Sequence, residues 1–301
     1  MRRQQMKKPI LIVALLALIA TVVCVTLAVG GLVGSGEEIP TVTYYAEESG
    51  YLSPSGIAVL GNYAYVADAT GCGIYKVDLV GGAVVGSTVC SQKGNGIYTD
   101  GQDIYALSGA LAGDLLKLSA NLETLGRYDA GHTPVAAVSD EDRIYVVNRF
   151  SGDLTIYNKA TMATEATVPV GREPMAVELV NGKLYIACHL TETTSYASTV
   201  AAKVAVYDTA TGALSDILLT NGSTGVKDLC VSSDGKYLYV SSVLARYAAP
   251  TTQLTEGWVN TNGLNIIDLQ NDTLLCAVLL DDQDRGAANP WAVDAANGTV
   301  A

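Results

Sequence analysis

A tyrosine set in an apolar strand recurs at Tyr65, Tyr105, Tyr145 and Tyr185, one every 40 residues. A fixed period of this length marks a chain built from copies of one supersecondary unit, stacked so that neighbours bury each other's apolar faces. The parts of the unit can be read off around each Tyr. A small apolar strand after Pro or Gly comes first: "PSGIAVL", "GNGIYTD", "TPVAAVS", "EPMAVEL", "GVKDLCVS" and "NPWAVDA". A polar turn follows, then the Tyr strand ("YAYVAD", "DIYALS", "RIYVVN", "KLYIAC", "YLYVSS"). Two more short strands close most units, such as "DLTIYN" and then "TEATVPV".

Four short alternating strands per unit, with no helical period between them, predict an all-β chain folded as a β-propeller of four-stranded blades. One four-stranded sheet buries only part of its surface, and radial stacking covers both faces and protects the edges. The recurring Tyr should pack between blades with its hydroxyl on a polar partner. Five units are complete, starting near Ser53, Gly94, Thr133, Glu173 and Gly225, and a sixth starts at Asn289. The expectation is a propeller over 51–301 that is incomplete at its C-terminus, with about seven blades in the full protein. "TVTYYA", within the linker 35–50, is a candidate ring-closing strand.

The first segment reads differently. A basic flank (1–9) with Arg2, Arg3, Lys7 and Lys8 precedes a charge-free apolar run over 10–34. As a helix it would be about 37 Å long, enough to cross a hydrocarbon core of about 30 Å. The run reads as a transmembrane signal-anchor or a signal peptide, with the basic flank in the cytoplasm and the rest exported to the periplasm or cell surface. The net charge is −12, and −16 without those four N-terminal cations. So acidic a domain is a poor ligand for nucleic acid.

Chemistry-bearing motifs are few. No Ser-His-Asp arrangement, nucleophile elbow, phosphate loop or metal-spaced His cluster is written in the chain, so no catalytic residue and no metal ligand is assigned. His189 and His132 each stand alone in loops, and "DDQD" (281–284) lacks an EF-hand pattern and reads as an acidic turn. If "VGGA" turns a hairpin near Gly81, Cys72 and Cys90 become cross-strand neighbours that could form a disulfide in an oxidising compartment. Independent thiols are the other reading. Cys188, Cys230 and Cys276 sit in apolar strands and read as small core residues.

The rhythm stretches after Tyr185. The spacing from the Tyr strand to the third strand is 12 residues from Tyr145 to Tyr157, 22 from Tyr185 to Tyr207 and 28 from Tyr239 to Ile267. Blades four and five therefore carry insertions, which place loops 190–202, 244–263 and 281–289 on one face. Long loops on a rigid scaffold are where binding concentrates. The candidate partner-binding residues on them are Arg246, Tyr247, Gln253, Trp258, Asn260, Asn262, Asp284, Arg285, Asn289 and Trp291. They offer guanidinium forks, amides and indoles suited to an interface. The other reading is that the two Trp plug the face and that Asp284–Arg285 is a local loop pair.

"DRIYVVNRFSGDLTIYN" and "VGREPMAVELVNGKLYIAC" resemble the YVTN-type propeller repeat of extracytoplasmic proteins. "LARYAAPTTQLTEGWVNTNGLNIIDL" and "LLDDQDRGAANPWAVD" resemble a subgroup in which the propeller precedes a cytochrome c-like region of the di-haem peroxidase type. That resemblance implies haem c on a C-x-x-C-H motif, which this sequence lacks, so any haem would belong to a region after residue 301. The lactonase propellers are a looser likeness, from which no catalytic residue carries over. The sequence thus implies a binding scaffold of the cell envelope, whose partner is another protein or an attached redox domain. The propeller half of a haem-containing peroxidase-like or electron-transfer protein is the alternative, and a lactonase-like hydrolase a weaker third.

Overall fold

The computed structural model describes residues 52–245, 260–281 and 289–301, all within one compact unit. The apolar run 10–34 and the candidate strand 41–46 lie outside the described residues. So do Arg246, Tyr247, Gln253, Trp258, Asp284 and Arg285.

The described chain is all-β, a succession of antiparallel meanders. Blade one is β1 (Pro54–Leu60), β2 (Tyr63–Asp68), β3 (Gly73–Asp78) and β4 (Ala83–Val89). Blade two is β5 (Gly94–Thr99), β6 (Ile104–Ser108), β7 (Gly113–Leu118) and β8 (Thr124–Ala130). Blade three is β9 (Pro134–Ser139), β10 (Arg143–Asn148), β11 (Asp153–Asn158) and β12 (Thr164–Pro169). Blade four is β13 (Pro174–Val180), β14 (Lys183–Cys188), β15 (Lys203–Asp208) and β16 (Leu214–Leu218). In blade five the first strand is split into β17 (Ser223–Thr224) and β18 (Leu229–Val231), which both pair with β19 (Tyr237–Ala245). β20 (Asn260–Asp268) and β21 (Thr273–Leu279) complete that blade. A hairpin, β22 (Ala295–Ala296) and β23 (Thr299–Val300), belongs to the sixth unit.

The core lies between blades, as stacking requires. Four apolar clusters fill the four successive interfaces of blades one to five. Each repeat Tyr is sealed in the interface with the next blade: Tyr65 with blade two, Tyr105 with three, Tyr145 with four and Tyr185 with five. Burying such a ring favours folding by about 25 cal/mol per Å² of apolar surface, provided the hydroxyl keeps a partner.

The local turn decides which partner. Where the first turn of the blade carries Asp, the phenol bonds at home: Tyr105 Oη donates to Asp100 at 3.1 Å and Tyr145 Oη to Asp140 at 2.6 Å. Where that turn is Gly61-Asn62 or Asn181-Gly182, no carboxylate is available and the phenol reaches across. Tyr65 Oη then donates to the Ala120 carbonyl at 2.7 Å, and Tyr185 Oη to Asp272 at 2.5 Å. Tyr239, the fifth of the series, is only half-buried and lies against the 295–300 hairpin.

Three expectations from sequence need correction. The second insertion is shorter than 244–263, because β19 and β20 extend their ladder to the pair Ala245↔Asn260. Asn260 and Asn262 are therefore strand residues. Asn262 is buried, with its N–H donating to Asp281 at 2.7 Å, which makes it a brace rather than a free binding group. Cys276 is exposed and not a core residue, because it lies on β21, the outermost strand of its blade, away from the interfaces.

Candidate binding face

The first strands of the blades lie side by side, β1 against β5, β5 against β9, β9 against β13 and β13 against β18. Their starts surround a cavity of about 550 Å³ on the face that carries the β2–β3 type loops. A recurring irregularity builds its lining. In each of the first four blades the register between first and second strand skips one residue: Ser55, Asn95, Val135 and Met175. A bulge turns the extra residue out of the ladder and re-aims its side chain. All four line the cavity. In blade five the equivalent residue, Lys227, falls in the break between β17 and β18, and in the sixth unit it is Trp291; both line the same cavity.

The mouth combines cations with exposed aromatics. Phe150, the single Phe of the chain, is 53% exposed, and Trp291 is 70% exposed. Each ring carries a cation on its face: the Arg149 guanidinium lies 4.7 Å from the Phe150 centroid and Lys227 Nζ 4.4 Å from that of Trp291. His132 meets Phe150 edge-on at 5.3 Å. Lys93 stands exposed on the same cavity. Glu173 neutralises Arg149, accepting from Nε at 3.0 Å and Nη2 at 2.8 Å. Burial, with the nearby Arg149 charge, holds the Lys227 ammonium below the usual lysine range.

His189 is not free to ligate through Nδ1, which lies 2.7 Å from the Val226 carbonyl. Burial holds its imidazole below the ordinary value. Three residues further along β13 from Met175, about 10 Å at strand rise, an acidic group stands outside the cavity lining. There Glu178 faces Asp228 and Asp294, and burial followed by those two charges pushes its carboxyl up to about 7. Asp228 occupies the position that is Gly56, Gly96, Ala136 or Ala176 in the other blades. Its carboxylate accepts the N–H of Val293 at 3.0 Å, tying blade five to the sixth unit.

Of the ten binding residues expected from sequence, Trp291 is on the cavity and Asn260, Asn262 and Asn289 are described away from its lining; the other six lie outside the described residues. The 190–202 loop does not reach the cavity. It lies over the outer part of blades three and four, pinned by Lys203 to Glu192 at 3.1 Å and by Arg172 to the Thr191 carbonyl at 3.2 Å. Sequence reading missed Lys93, Arg149, Phe150 and Lys227. Register alone would have found Ser55, Asn95, Val135 and Met175, each ten residues before its repeat Tyr, and by alignment of the first strands Lys227; it does not mark Lys93, Arg149 or Phe150. Cys72 and Cys90 do end opposite each other, flanking the pair Gly73↔Val89, with Cys90 N–H donating to the Cys72 carbonyl at 2.8 Å. Their sulfurs are unbonded in this structure.

These features define a multi-blade β-propeller repeat protein with a basic, aromatic-rimmed cavity at the inner ends of its blades. Residues 53–72, in blade one, match the LVIVD repeat family. Among solved structures the chain is similar to hydrazine synthase of Kuenenia stuttgartiensis, with TM-score 0.69 and 16% identity over 86% of this chain and 72% of that one. It is also similar to the Cps50 (Swd1) β-propeller domain from Myceliophteria thermophila, with TM-score 0.54 and 12% identity over 80% and 75%. Hsv2 of Kluyvelomyces marxianus is similar too, with TM-score 0.53 and 16% identity over 82% and 73%. At these identities the likeness is one of fold. No curated protein matches the chain.

Proposed function

We propose that this chain is a binding scaffold whose partner, a protein or protein segment, seats on the face around the axial cavity. The observation that carries this reading is the pairing of exposed aromatics with cations at one mouth: Arg149 with Phe150 and Lys227 with Trp291. Large aromatics and Arg are the usual anchors of interfaces, and here two exposed rings and their cations line one cavity. The scaffold is an exported YVTN-type propeller of the cell envelope, with the run 10–34 as its signal or membrane anchor. A haem-bearing region continuous with this chain would be one such partner. The chain itself carries no C-x-x-C-H, so its own residues do not attach haem c.

The test is site-directed photo-crosslinking in the producing cell. A crosslinker at position 150 or 291 should trap a discrete partner, and one at Val84 on the outer strand of blade one should not. Equal trapping at all three positions, or none, would sink the reading. Haem staining of the full-length exported protein checks the redox-domain version separately.

A further inference from the structure

We infer that the axial cavity receives the carboxylate side chains of an acidic segment of the partner, held by Lys93 and Lys227 between Phe150 and Trp291. This rests on the scaffold reading above and specifies its chemistry. The argument begins with charge accounting. The chain is strongly acidic, and its described lysines are mostly consumed by its own carboxylates: Lys117 pairs with Asp103, Lys159 with Asp100, Lys183 with Asp272, Lys203 with Glu192 and Asp216, and Lys236 with Asp234. Among the described lysines and arginines only Lys76, Lys93, Lys227 and Arg172 make no ion pair, and Arg172 donates to the Thr191 carbonyl at 3.2 Å. Lys76 is engaged by the Ala120 carbonyl at 2.8 Å and by the Tyr63 ring. The other two both line this cavity.

Lys227 is half-buried there, with its ammonium over the Trp291 ring and the opposed charges of Arg149 and Glu173 nearby. Glu173 is bonded to Arg149 and makes no ion pair with Lys227, so this partly desolvated ammonium would gain free energy from a carboxylate in direct contact. Arg149 adds a third cation nearby, although Glu173 already occupies it. The cavity volume falls within the range of small-ligand pockets, room for a few side chains and not for a folded domain. The partner therefore inserts an extended segment while its body rests on the rim. The flanking rings favour segments in which Asp or Glu alternates with small or apolar residues.

The test is titration calorimetry of the full chain in mild detergent. The probes are an N-acetylated decapeptide of alternating Glu and Gly, its Lys/Gly counterpart, and free glutarate. The Glu/Gly peptide should bind saturably and more weakly as salt rises, whereas any diffuse attraction of the Lys/Gly peptide to this acidic chain should not weaken in Lys93→Gln or Lys227→Gln. Lys93→Gln and Lys227→Gln should each weaken binding by about tenfold, a loss typical of one charge-assisted contact. Lys236→Gln, on a remote turn, should leave it unchanged. The inference is overturned if Lys236→Gln weakens binding equally, since the attraction is then diffuse. It is also overturned if glutarate binds as tightly as the peptide, since the ligand is then a free dicarboxylate. No binding of the Glu/Gly peptide overturns it too, and continued partner crosslinking at 150 and 291 would then leave the scaffold reading standing.

Discussion

The phenol of Tyr185 donates to Asp272 Oδ1 at 2.5 Å across the interface between blades four and five, while Lys183 holds the other carboxylate oxygen. One acidic residue on the β20–β21 turn thus latches two groups from the neighbouring blade. Tyr185→Phe keeps the buried ring and removes only the donor. The expected loss is about 1–2 kcal/mol, at the upper end for a bond to a charged acceptor. Urea unfolding read by fluorescence and by circular dichroism checks it; an unchanged midpoint would show that the latch contributes nothing. Double substitution with Lys183→Met should be less than additive, because both groups share Asp272.

The inner ends of the blades depend on small residues. A methyl group at Gly96 would stand 2.4 Å from the Val135 carbonyl oxygen of the next blade. That neighbour is backbone held in a sheet, so it cannot swing away as a side-chain tip would. Gly96→Ala is expected to destabilise by about 1–3 kcal/mol through overpacking, despite the usual gain from replacing Gly. Because the β5–β9 contact also positions Asn95 and Val135, the variant should lose affinity for any ligand of the cavity. A thermal midpoint equal to or above that of the parent would contradict the packing argument.

The fold was legible in the sequence because its determinants are local and repeated. The 40-residue Tyr period runs through the first four blades, and the turn residues and two-residue alternation recur in the fifth, so a misreading of one unit is corrected by the others. The cavity was harder to read because its lining residues share a position and not a chemistry: Ser55, Asn95, Val135, Met175, Lys227 and Trp291 form no motif. They converge only through the bulge and the radial arrangement of the blades. Trp291 is visible in the sequence as a rare residue near an insertion, whereas nothing local marks Lys93 and Lys227, whose lack of an ion pair is a property of the folded chain. Asn262 shows the opposite error, a polar residue near a loop that the extended β19–β20 ladder buries as a brace.

Thiol reactivity should separate the cysteines by position. Burial pushes the Cys90 thiol up to about 11, Cys188 up to about 12 and Cys230 up to about 11, so thiolate is scarce at pH 8. Cys276 is exposed. Brief iodoacetamide treatment of the folded protein should therefore label Cys276 well ahead of those three, as read by peptide mass spectrometry. We propose that Cys72 and Cys90 become linked where the compartment is oxidising. That bond would keep both unlabelled after unfolding and release them on reduction. Labelling of both in unfolded, unreduced protein from the native compartment would exclude it.

The carboxyl of Glu178 gives stability a direction with pH. Burial, then the charges of Asp228 and Asp294, push it up to about 7, against an ordinary 4.5. The folded chain therefore holds a proton between about pH 4.5 and 7 that the unfolded chain has released. Stability must fall as pH rises through that window, and the penalty is complete above it. Asp228, raised first by burial and also by Asp294 against the opposing N–H groups of Val293 and Leu229, acts in the same direction. Glu178→Gln removes the larger of the two shifts. It should flatten the decline and stabilise the protein at pH 8 by on the order of 1–2 kcal/mol, a figure reduced from the full shift because solvent screens part of the site. At pH 4.5 the variant and the parent should differ little. Denaturant unfolding of both proteins at pH 5 and pH 8 decides the matter: a parent no less stable at pH 8, or a variant with the same pH slope, would show that Glu178 ionises without cost.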